Sequence, residues 1–169
     1  MPAGPFSALN IGSFASMNSS SNPENSVGAG GAAGAHHSQR APEPVGAYPH
    51  ARRVGGLLFL SGVGPRQRGQ AAVPGVELDA AGRIQRYDFE RQCRAVFQNV
   101  RYILEEAGAR WEDLVDVTVF LTNMQADFAA YNRLYAEYFA TAQPCRTTVE
   151  VTALPTPIAI ELKCIAFMG

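Results

Sequence analysis

The stretch CRTTVEVTALPTPIAIELKCIAF, residues 145–167, places Arg146 at the mouth of one apolar run and Glu161 within the next. An arginine offers a planar fork of N–H donors that matches a carboxylate, and a glutamate can take a proton from water. Both charges are costly to bury unless something pairs with them. Taken alone, each also has an ordinary place, Arg146 capping a strand at the surface and Glu161 solvated on an edge strand. The thiols are less promising. Cys93 and Cys164 fall on apolar stretches, where a buried thiol is an inert small hydrophobe, and only Cys145, next to Arg146, has an open role. The three cysteines have no C-x-x-C spacing, and His36, His37 and His50 form no metal-ligand pattern with them. A reduced compartment, no disulfide framework and no metal site are therefore expected.

Something must position these residues, and hydrophobic patterning indicates what. The 169 residues, 47% hydrophobic and 17% charged, suffice for one core. A net charge of -1 gives no positive field to hold a phosphate backbone, so nucleic acid is excluded as an expected partner. Residues 1–45 are mainly Ala, Ser, Gly, Asn and Pro without periodicity, and read as a disordered, dispensable arm preceding a domain over 46–169. The arm lacks the basic and apolar regions of a secretory signal, which makes the cytoplasm the expected location, and Met17 is an alternative start.

From Val45 onward, YPHARRV and LLFLSGV around Gly55 and Gly56 read as a β-hairpin. AAVPGVELDAAGRIQRY reads as a long loop. In DFERQCRAVFQNVRYILEEAG, apolar positions recur every three or four residues from Phe89 to Ala107, with Asp88 to cap the start and Gly108 to end it. DLVDVTVFLT reads as a buried strand and DFAAYNRLYAEYF as a second helix. RTTVEVTA and IAIELKCIAF read as two strands separated by the prolines of LPTP. The order is β-β-α-β-α-β-β, an α+β subunit whose single sheet carries two helices on one face. An open apolar face of such a sheet calls for burial by other copies.

The combination FLSGVGP, VFLTNMQADFAAYNRLYAEYF and RTTVEVTALPTPIAIELKCIAF resembles the Rid family of enamine and imine deaminases, from about Gly46 to the C-terminus. The resemblance implies a chorismate-mutase-like subunit with a mixed sheet, a homotrimer, and active sites in the clefts between subunits. It also implies hydrolytic release of ammonia from an enamine or imine carboxylate, without metal or organic cofactor. Arg146 would hold the substrate carboxylate and Glu161 would orient and deprotonate the attacking water. Tyr48, Ser61 and Asn132 are carried over as pocket residues, although they also read as a packed aromatic, a turn residue and the polar side of a helix. Many family members have a cysteine where this chain has Thr148, which leaves Thr148 at most a hydrogen-bond donor.

Within the family, GAYPHARRVGGLLFLSG, DFAAYN and CRTTVEV look most like 2-aminomuconate deaminases of aromatic catabolism. His50, Arg52, Arg53, Arg66 and Arg68 cluster near the hairpin, where they read either as charges protecting a sheet edge or as a second anion site. A second site would favour the dicarboxylate 2-aminomuconate over 2-aminoacrylate. A general 2-aminoacrylate deaminase, a carboxylate-binding trimer without turnover and an RNA-cleaving protein are the alternatives. No membrane partner is expected.

Overall fold

The computed structural model describes residues 33–169. Its framework is a six-stranded mixed sheet with the order β1-β2-β3-β8-β6-β7. The strands are β1 (Gly34–His36), β2 (Ala51–Val54), β3 (Leu57–Leu60), β6 (Leu114–Leu121), β7 (Cys145–Glu150) and β8 (Ile160–Phe167). A separate pair is formed by β4 (Val76–Leu78) and β5 (Ile84–Tyr87), and the helices are α1 (Phe89–Glu106) and α2 (Met124–Phe139). Among the described strands only β6 and β7 pair in parallel, joined by the α2 crossover. The α+β architecture is the expected one.

Local chemistry sets the boundaries. The β2–β3 turn places Gly55 at φ 59, in the left-handed region that a tight hairpin turn demands. Asp88 caps α1 by accepting from the Arg91 N–H at 3.0 Å, and Asn123 caps α2 by accepting from that of Ala126 at 3.1 Å. The cap at Asn123 starts α2 a turn earlier than the apolar spacing indicates. Both helices cover the sheet face formed by Val117, Val119, Leu121, Ile160, Leu162 and Cys164, each fully buried. Between the helices, Phe97 meets Trp111, Tyr131, Tyr138 and Phe139 edge-on or tilted. No helix among the described residues is long and apolar enough to cross a membrane.

Two expectations are corrected. The segment read as a long loop contains the β4–β5 pair, closed by an Asp79 carboxylate that accepts from the N–H groups of Ala81 and Arg83. The arm expected to stay outside the fold through residue 45 is ordered from Gly34 onward, while residues 1–32 lie outside the described residues. His36 pairs with Ala51, which adds β1 to the sheet. Ser38 and Ala41 are buried. Arg68 donates to the carbonyls of Ser38 and Ala41 and pairs with the Glu43 carboxylate, while Glu106 accepts from Ser38 Oγ and from Gln39 N–H. Long-range side-chain contacts therefore hold this segment where apolar periodicity does not.

Candidate active site

Glu161 lies on β8 opposite Phe120 of β6. Its neighbour Leu162 exchanges backbone hydrogen bonds with Val63 at 2.8 and 2.9 Å, which lays Gly62 against the Glu161 side chain. A methyl group at Gly62 would stand 2.4 Å from Glu161 Oε1 and 2.8 Å from its carboxyl carbon. Gly62 thus leaves the space in which the carboxylate sits. Around it, Tyr48, Arg66, Pro155, Thr156 and Ile158 complete a cavity of about 120 Å³. No hydrogen-bond donor or cation among the described residues pairs with the carboxylate, and burial raises its pKa above the ordinary glutamate value. That is the direction a general base working near neutral pH requires.

Gly62 itself can be tested. Its φ lies outside the left-handed region, so alanine fits the backbone and only the carboxylate must move. Gly62→Ala is expected to keep the native melting temperature to within a few degrees and to lose about 10- to 100-fold in kcat, the scale of a roughly 1 Å misplacement of a reacting group. Circular dichroism melts and steady-state kinetics check this. Unchanged kcat would show that the position of Glu161 does not matter.

Arg146 lies on β7, the exposed edge strand, opposite Val117. Val117 is itself opposite Cys164, and both are fully buried beneath the helices. Arg146 therefore points to the helix-covered side, where Nη1 donates to Asn132 Oδ1 of α2 at 2.8 Å. The guanidinium carbon sits 4.6 Å from the Tyr135 ring centroid, with Tyr131 and Phe128 at 5.7 and 5.9 Å. No carboxylate among the described residues pairs with it. Thr148 shares this face, opposite Val119, and its enclosed hydroxyl has no partner among the described residues.

Successive residues of a strand face opposite sides of the sheet. Arg146 shares the side of Val117 and Cys164, whereas Glu161 shares the other with Phe120 and Val149. The two charges are thus unpaired on opposite faces of one sheet. One chain brings Arg146, Asn132 and Thr148 together, and separately Glu161, Tyr48 and Arg66. Ser61 lines a small adjoining cavity and donates to the Pro49 carbonyl at 2.7 Å.

The basic cluster does not form one site. His50 is buried, accepting at Nδ1 from the Ser38 N–H at 3.0 Å and bonding the Pro42 carbonyl through Nε2 at 2.9 Å, so its ring holds the arm. Arg68 is likewise spent on the arm. Arg52 is exposed and stands opposite Phe59, on the face away from the helices. Only Arg66 borders the Glu161 cavity, with Nη2 donating to the Glu43 carbonyl at 2.6 Å. Cys93 and Cys164 are buried, with burial driving both thiol pKa values upward, and Cys145 is exposed on β7. Among the described residues, no group of three or more His, Cys, Asp or Glu side chains is placed to hold a metal ion.

Three contributions escape a reading of the sequence. Gly62 and the Pro155–Thr156 wall depend on strand register, and the rings beneath Arg146 belong to a helical stripe that reads as core.

Residues 38–168 match the family described as Endoribonuclease L-PSP. The chain is 38% identical over 129 residues to a RutC family protein of Pyrococcus abyssi, covering 76% of this chain and 92% of that protein. It is 34% identical over 128 residues to the chloroplastic Reactive Intermediate Deaminase A of Arabidopsis thaliana, covering 76% of this chain and 62% of that protein. Among solved structures, E. coli TdcF with bound serine matches with a TM-score of 0.69 at 29% identity, over 80% of this chain and 99% of that one.

Proposed function

This chain belongs to the Endoribonuclease L-PSP family, that of the Rid enamine and imine deaminases, and we propose that it hydrolyses an enamine or imine carboxylate at a site shared between two copies of itself. The observation that carries this reading is the placement of Arg146 and Glu161, unpaired, on opposite faces of one sheet. A substrate held by one cannot reach the other within a single chain. The reading is supported by the exposed β7 edge and by Val54, Leu57, Val149 and Phe167, which are exposed apolar residues on the sheet face away from the helices. In the proposed homotrimer that face is buried against further copies, and the exposed β7 edge carrying Arg146 of one subunit lies beside the Glu161 cavity of the next.

The chemistry then needs few groups. The enamine tautomerises to an imine, whose protonated nitrogen draws electrons from the adjacent carbon. Arg146 and Asn132 hold the neighbouring carboxylate. Glu161 takes a proton from water as its oxygen bonds to that carbon, forming a carbinolamine. Proton transfer from Glu161 to the amine nitrogen lets the carbon–nitrogen bond break, and the Glu161 carboxylate so regenerated takes the hydroxyl proton as the carbonyl forms, giving a 2-oxo acid and ammonia. Because the nitrogen is itself the electron sink, the reaction calls for no metal or organic cofactor.

A narrower reading makes the substrate a dicarboxylate such as 2-aminomuconate, with Arg66, which lines the same cavity as Glu161, matching the second carboxylate. The test is ammonia release from 2-aminomuconate and from 2-aminoacrylate, each generated in the cuvette. The wild type is expected to favour the dicarboxylate, and Arg66→Ala to lower kcat/KM for it alone by at least about fivefold. Equal use of both would leave a general imine deaminase. No ammonia from either would overturn the proposal.

A further inference from the structure

We propose that Tyr135 is a positioning residue for the reaction, its ring serving as the platform that holds the Arg146 guanidinium ready for an incoming carboxylate. The inference rests on the role given above to Arg146. An arginine on an exposed edge strand has a long, mobile side chain, and ordering it costs rotamer freedom that something must offset. Among the described residues, the guanidinium makes one hydrogen bond, from Nη1 to Asn132. Three aromatic rings lie within 6 Å of its central carbon. Phe128, Tyr131 and Tyr135 are spaced three and four residues apart on one face of α2, and Tyr135 lies closest to the guanidinium carbon, at 4.6 Å. The ring faces attract the cation while leaving its other N–H groups to meet a carboxylate.

Tyr135 is also fixed on its other sides. It stacks on Phe139 with centroids 4.2 Å apart and ring planes at 15°, and lies 5.8 Å from Tyr131. Its hydroxyl donates to the carbonyl of Pro144 at 3.3 Å, two residues before Arg146. One side chain thus anchors both the guanidinium and the chain that delivers it. Of the other two rings, Tyr131 is fully buried and Phe128 is 36% exposed.

The experiment compares Tyr135→Leu and Tyr135→Met, which both remove the ring, with Tyr135→Phe, which keeps it, and with Phe128→Leu. Pyruvate, a stable 2-oxo acid, is titrated by calorimetry, and kcat and KM are measured with 2-aminoacrylate. Without the ring, the pyruvate Kd and the KM are expected to rise about 5- to 30-fold with kcat little changed. Tyr135→Phe, which keeps the ring and loses only the long bond to Pro144, should restore most of both, and Phe128→Leu should shift them less. An unchanged Kd in Leu and Met variants that fold, a Phe variant as weak as they are, or failure of both ring-deleted variants to fold would overturn the inference. If the wild type releases ammonia yet the ring-deleted variants bind pyruvate normally, only this inference fails. If the wild type releases none, the deaminase reading fails and the pyruvate titration still decides the role of Tyr135.

Discussion

Arg146→Ala is expected to lose about 30- to 5,000-fold in kcat/KM, the equivalent of about 2 to 5 kcal/mol for removing one partner of a hydrogen-bonded charge pair shielded from water. Arg146 is exposed in the single chain, so in the proposed homotrimer this shielding would come from a second copy over the edge strand. Stability should barely change, because the guanidinium has no ion-pair partner among the described residues. Arg146→Lys should recover only part of the loss, because an ammonium cannot reproduce the fork. Steady-state ammonia release with thermal melts checks both statements. Wild-type kcat/KM in Arg146→Ala would remove the carboxylate anchor from the account.

Glu161→Gln keeps the side-chain shape and removes the base, so turnover should fall about 100- to 10,000-fold while pyruvate still binds. A protein that merely binds carboxylates would lose nothing. The wild-type pH profile carries a second signature. Burial raises the Glu161 pKa, so the acid limb of kcat/KM should lie above the usual glutamate value of about 4.3. The same shift has a stability consequence of definite sign. A carboxyl whose folded pKa is raised binds its proton more tightly in the folded state, so its contribution is greatest below the unfolded pKa and is lost as pH rises through the folded one. Glu161→Gln should therefore melt higher than the wild type at neutral pH, and this advantage should fade in acid. A variant less stable at neutral pH would mean that the carboxylate has a stabilising partner.

The fold was legible wherever one repeating pattern governs a segment. The apolar spacing from Phe89 to Ala107, capped by Asp88, describes α1 as it stands, and the β-branched run before Leu121 describes β6. The β4–β5 pair was not legible, because exposed Glu77, Leu78, Gln85 and Arg86 show no alternation and the turn depends on one aspartate. Nor was the order of residues 34–44, which rests on Arg68, His50 and Glu106 reaching across long stretches of chain. Residue type alone also allows a strand cap and a solvated edge residue, and it was the family resemblance of the segments that carry them that picked out Arg146 and Glu161. Their separation depends on the register of β7 and β8 against β6, a property of the paired strands that neither sequence segment carries alone. His50 shows the converse error. Its spacing from Arg52 implies a shared strand face, but the strand begins at Ala51 and the imidazole turns inward to the backbone of the arm.

The most direct test of a site shared between copies is to mix the two inactive variants. Arg146→Ala and Glu161→Gln subunits are unfolded together, refolded at equal ratio and assayed for ammonia release. In a mixed trimer, an intact Arg146 from one subunit meets an intact Glu161 from its neighbour. With random assembly about one site in four is restored, so activity should return to about a quarter of that of refolded wild type. Each variant refolded alone should stay inactive. A mixture no more active than the separate variants would contradict the account, because it would mean that both residues act within one chain or that one of them does not act at all.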